Sequence, residues 1–146
     1  MNIAFFLIPK NEVAYIPYEA TMRQALEKME YHQYSAVPLL DNRGRYVGTL
    51  TEGDLLWKIK RTPGLTFTHT SKVFIKDIEL HRNNTPISIH AEMEDIVTKA
   101  MEQNFVPVID DNHIFFGIIT RRDIINFLSE NWKNQDHASL INLLLY

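Results

Sequence analysis

The 146-residue chain contains no cysteine. That excludes disulfides, thiolate zinc sites and a cysteine nucleophile, and it fits a reducing compartment. Long hydrophobic runs are missing too, since nothing approaches the roughly 20 consecutive apolar residues that span a bilayer. The opening MNIAFFLIPK has no basic residue ahead of its short apolar run, Ile3 to Ile8. It therefore reads as structure rather than as a secretory leader, and a cytoplasmic location is expected. Neither sign of charge dominates: a formal net charge of −3 at pH 7 supplies no field for nucleic acid or an anionic membrane, and neither is expected as a partner. With 45% hydrophobic residues and only five glycines and six prolines, the chain is expected to be globular.

Catalytic signatures are equally scarce. The histidines His32, His69, His81, His90, His113 and His137 show no H-x-x-x-H or H-E-x-x-H spacing, so no metal is expected. No G-x-G-x-x-G, G-x-x-x-x-G-K-[ST] or G-x-S-x-G is found. Asp110-Asp111 stands between apolar runs and reads as a turn rather than an acid and base pair. The expectation is a protein that is not an enzyme and has no cofactor.

What the chain does have is a repeat. SAVPLLDNRGRYVGTLTEGDLL (Ser35 to Leu56) aligns without a gap on NFVPVIDDNHIFFGIITRRDII (Asn104 to Ile125), at the constant offset of 69 that separates Val37 from Val106. Upstream, dropping two residues from the second copy aligns two helical patterns. Met22, Ala25, Leu26 and Met29 follow i, i+3, i+4, i+7 spacing, as do Met93, Ile96, Val97, Ala100 and Met101. These methionines read as core filler, and Glu92, Glu94 and Asp95 as the solvated start of the second helix. DNRG (Asp41 to Gly44) and DDNH (Asp110 to His113) are hairpin turns. Each copy thus reads strand, helix, strand, strand, helix. A copy of about 60 residues buries only around 60% of its unfolded surface, so pairing of the copies is expected. The boundaries expected are 1–64 for the first copy with the N-terminal segment, 65–133 for the second, broken at Pro63-Gly64, and 134–146 for a polar loop and the apolar tail LINLLLY.

Thr51-x-x-Asp54 and Thr120-x-x-Asp123 both have capping-box spacing. Between the second pair stand Arg121 and Arg122, where the first copy has Glu52 and Gly53. A cation in the first turn of a helix meets the positive end of the macrodipole, at about 0.3–1 kcal/mol each when exposed. An anion reverses that sign, because charge-assisted hydrogen bonds contribute about 1.5–3 kcal/mol apiece. TRRD therefore reads as a phosphate seat; the bland alternative is that both arginines point outward to carboxylates.

The doubled pattern, V-P-h-h-D before each hairpin and G-h-h-T-x-x-D-h-h after it, resembles a tandem pair of cystathionine-β-synthase-type (CBS) domains from about residue 10 to 132. The resemblance implies an α+β fold of two pseudo-symmetric β-α-β-β-α motifs, a homodimer, and a regulatory module that binds adenosine-containing ligands in clefts between the motifs and signals to a protein partner. It also implies ribose held by Asp123 and Asp54, phosphate by Thr120, Thr51, Arg121 and Arg122, and adenine lined by Ser35, Ala36, Val37, Asn104, Phe105 and Val106. Phe105 departs from the small residue usual there, which Ala36 keeps. AMP, ADP, ATP, S-adenosylmethionine and cyclic di-AMP stay open as ligands, the last because the second TRR also resembles small bacterial proteins that bind it. The rival expectation is a ligand-free dimerisation or docking module.

Overall fold

The computed structural model describes residues 3–134 together with Asn142, Leu144 and Leu145. β1 (Ile8–Pro9) precedes the first copy, which runs β2 (Ile16–Pro17), α1 (Met22–His32), β3 (Ala36–Leu40), β4 (Tyr46–Thr51) and α2 (Glu52–Arg61). The second copy repeats this as β5 (Ile87–Ser88), α3 (Met93–Glu102), β6 (Phe105–Ile109), β7 (Phe115–Thr120) and α4 (Arg121–Asn134). Both copies have the β-α-β-β-α order and the class is α+β. Asn134, expected to open the polar loop, continues α4; residues 135–141 of that loop lie outside the described residues.

The chain forms two compact units, Ala14–Asn83 and Met1–Val13 with Asn84–Tyr146, hereafter the first-copy and second-copy units. In the first, β2 runs parallel to β3 and β3 antiparallel to β4. The hairpin turn is organised by Asp41, whose Oδ1 accepts from the backbone N–H groups of Arg43 and Arg45, both at 2.9 Å. The Arg45 backbone N–H, helped by its guanidinium, holds the Asp41 carboxyl below the usual carboxylate range. Just after it, burial pushes the Tyr46 phenol up to about 12, against the opposing pull of its Thr49 hydrogen bond. Helix α1 starts with a complete capping box, Thr21 Oγ1 accepting from Gln24 N and Gln24 Oε1 from Thr21 N. It turns Met22, Ala25 and Met29 into the core, as their spacing predicts. In α3, Met93, Ile96, Val97 and Ala100 are buried likewise, but Met101 is 71% exposed. That corrects its reading as core: at 3.6 residues per turn it lies 100° round from Ala100, past the covered face.

The expected boundaries also need correction. The N-terminal segment does not join the first copy. β1 pairs antiparallel with β7, Ile8 opposite Ile118 and Pro9 opposite Gly117, at the edge of a sheet ordered β1-β7-β6-β5. Gly117, at φ +153°, permits this, because a Cβ there would stand 2.0 Å from the Ile8 carbonyl oxygen. Conversely, residues 65–83, expected with the second copy, close on the first. Met22 N donates to Val73 O at 2.7 Å and Ile75 N to Ala20 O at 2.9 Å, the Arg23 guanidinium lies 3.8 Å from the Phe67 ring centroid, and Ile75 is fully buried in that core. Each copy is thus completed by the segment that precedes the other copy in sequence.

Candidate functional site

In each unit the Thr-x-x-Asp turn lies against the residues that lead into the facing strand. Ala36 is in register with Thr51, and Glu52 N donates to Ser35 O at 3.0 Å. In the second-copy unit Phe105 is in register with Thr120, and Arg121 N donates to Asn104 O at 2.9 Å. Ser35, Ala36, Thr51 and Asp54 are therefore gathered in one unit and Asn104, Phe105, Thr120 and Arg121 in the other. Ser35 and Asn104 are exposed. Val37, Val106 and Phe105 turn their side chains into the cores, at 1%, 0% and 8% exposure. That leaves only backbone at these positions to line a ligand, and it removes the Phe105 ring as a stacking surface.

The two aspartates differ in state. Asp54 completes a capping box, with Oδ2 accepting from Thr51 N at 2.9 Å and Thr51 Oγ1 from Asp54 N at 3.2 Å. Its Oδ1 accepts from His81 N at 2.8 Å and lies 2.9 Å from His81 Nδ1. The carboxylate, expected to hold ribose, has no solvent exposure and each of its oxygens accepts a hydrogen bond from within the unit. In the second copy only half the box forms. Thr120 Oγ1 accepts from Asp123 N at 3.1 Å, and among the described residues no donor reaches the half-buried Asp123 carboxylate. Asp123 opens instead on a recess of about 360 Å³ walled by Phe5, Phe6, Leu7, Ile8 and Phe127, with Asn126 and Glu130 at its polar side. The Phe6 and Phe127 rings meet edge to face at 5.1 Å. Sequence reasoning missed this wall because the N-terminal segment was assigned to the other copy.

The arginines also differ from each other. Among the described residues neither forms an ion pair with a carboxylate. Arg122 is exposed. Arg121, however, donates from Nε to Ala100 O at 2.6 Å. Ala100 lies in the last turn of α3, where carbonyls have no partner within the helix and a cation is favoured by the macrodipole. The first copy satisfies the matching carbonyl, Met29 O, with the backbone: Gln33 turns left-handed at φ +58° and Tyr34 N donates to it at 3.0 Å. The second copy lacks the two residues that make this turn, and Arg121 supplies the bond instead. The expectation that both arginines stand at a disadvantage until an anion arrives is therefore corrected for Arg121, while Arg122 keeps its unpaired charge beside Thr120.

A Thr-x-x-Asp strand-to-helix turn present twice on a duplicated β-α-β-β-α plan, with an open carboxylate and an unpaired cation only in its second copy, defines a two-repeat α+β module. A family model described as "CBS domain" matches residues 7–61 and 75–130. The chain belongs to the CBS domain family, and the match indicates no catalytic family. No curated protein matches it. Among solved structures it is similar to CbpB in complex with c-di-AMP, with TM-score 0.80 and 25% identity over 89% of this chain and 85% of that one. It is similar also to CbpB from Streptococcus agalactiae, with TM-score 0.76 and 27% identity over 90% and 84%. The fold is shared with CBSX2 in complex with AMP, with TM-score 0.69 and 19% identity over 88% and 96%. No helix among the described residues is long and apolar enough to cross a membrane.

Proposed function

We propose that this protein is a non-catalytic sensor that binds an adenosine-containing ligand, AMP or cyclic di-AMP first among the candidates, at the second-copy turn. The observation that carries the reading is the unpartnered Asp123 carboxylate opening on a phenylalanine-walled recess. Ribose hydroxyls are donors and suit a carboxylate acceptor, a purine suits an aromatic wall, and a phosphate suits the Thr120 hydroxyl, the α4 N-terminus and the Arg122 charge. Similarity to CbpB with c-di-AMP supports cyclic di-AMP, whose two phosphates would engage a cationic turn. Occupancy would then bias a homodimer between two arrangements that a protein effector reads, by no more than the ligand's differential affinity for them.

A melting scan against AMP, ADP, ATP, cyclic di-AMP and S-adenosylmethionine tests this. At ~100 times Kd a ligand adds about 2.7 kcal/mol, expected to raise Tm by roughly 5–10 °C. Asp123→Asn should abolish the shift and leave the unliganded Tm unchanged, since no described bond depends on that carboxylate. A shift that survives Asp123→Asn, or none with any of the five ligands, overturns the reading. The docking alternative has its own support in an open groove of about 510 Å³ in the first-copy unit, floored by Leu26, Leu55, Leu56, Ile59 and Phe67. Concentration-dependent sedimentation without any ligand response would favour it.

A further inference from the structure

Beside each helix that follows a Thr-x-x-Asp turn lies a recess, and the two recesses are built from equivalent positions. Asp54, Trp57, Lys58 and Arg61 line one, of about 190 Å³; Asp123, Asn126, Phe127 and Glu130, each 69 residues on, line the other. Their mouths differ through the segment laid across them. Over the second recess lie Phe5 to Ile8, which offer Asp123 no hydrogen bond. Over the first lies Asp77 to His81, and His81 reaches down to the carboxylate with two donors, its backbone N–H at 2.8 Å and ring Nδ1 at 2.9 Å, both on Asp54 Oδ1. The Nδ1 contact requires the ring proton on Nδ1. Nε2 faces Arg61 Nη1 at 3.4 Å and Glu79 Oε2 at 4.0 Å.

We infer that His81 is a built-in plug: it occupies, at Asp54, the place that ribose hydroxyls take at Asp123, so each chain binds its adenosine ligand through the second-copy carboxylate alone. This rests on the nucleotide reading above. Two donors converging on one carboxylate oxygen are what a pair of vicinal hydroxyls would present, and a ligand entering the first recess would have to break both bonds and uncover a carboxylate that now has no exposure. Lys58 and Arg61 stand at the rim, where the second copy has Phe127 and Glu130. The plugged recess is therefore the more cationic of the two at these positions, and removing the imidazole would leave a pocket suited to a nucleotide.

Calorimetric titration of the full chain with AMP and with cyclic di-AMP decides this. Wild type is expected to bind through a single class of site that Asp123→Asn weakens at least tenfold. His81→Ala should add a second class that persists in the His81→Ala, Asp123→Asn double variant. In wild type the ring resonances of His81, followed by NMR, should stay unmoved through saturation, and this reading does not depend on the variant folding. Binding by wild type with His81 shifting on saturation, or with no second class in a folded His81→Ala protein, overturns the plug and leaves the nucleotide reading standing. Binding by His81→Ala alone supports the plug and defeats the second-copy site. No binding by either protein defeats both.

Discussion

At the scale of single residues, Arg121 and Arg122 are neighbours with different employment. Arg121 caps the α3 carbonyl of Ala100, so Arg121→Ala should destabilise the unliganded protein by about 1.5–3 kcal/mol, the range for a hydrogen bond to a charged group. Arg122→Ala, at an exposed position with no partner among the described residues, should change stability by no more than about 0.5 kcal/mol. Urea unfolding of the two single variants checks this, and equal effects would show that the Ala100 bond contributes nothing. In ligand titrations the order should reverse, with Arg122→Ala costing the affinity. The contrast was partly visible in sequence. The doubled Thr-x-x-Asp and the intruding cations could be read from spacing alone, because a cap is local. What Arg121 does depended on a two-residue shortening some twenty positions earlier, and what Asp54 does depended on His81, 27 residues away; no local pattern encodes either.

At the scale of elements, α1, α3 and both hairpins were legible because their patterns are periodic and their turns carry Asp, Asn and Gly. β1 was not, since two residues hold no period and their partner lies more than a hundred positions on. The one trace was Gly117, whose missing side chain makes room for the Ile8 carbonyl. Gly117→Ala should force β1 off the edge of its sheet. At Gly48, the equivalent position, a Cβ would meet only the tip of a flexible side chain, Leu80 Cδ1 at 2.9 Å. Both substitutions are strained at their positive φ, so both should destabilise, and Gly117→Ala should do so by at least about 1 kcal/mol more. Hydrogen exchange should show the Gly117→Ala loss confined to Ile8 and its β7 partners; an equal loss in both variants would contradict the close approach.

At the scale of the molecule, the first-copy unit is one uninterrupted stretch, Ala14–Asn83, and the second-copy unit is two stretches that meet only through the fold. A fragment of residues 14–83 should therefore unfold cooperatively by itself, whereas residues 84–146 should do so only when a peptide of residues 1–13 is added. Circular dichroism melts of both fragments test this, and independent cooperative melting of 84–146 would contradict the edge role of β1. The order of synthesis follows from the same geometry. Residues 1–13 leave the ribosome before residues 14–83 and find their neighbouring strand only after Thr120 has emerged. For that interval an apolar segment that includes Ile3, Phe6 and Ile8 travels without its shelter, while the stretch behind it can already fold.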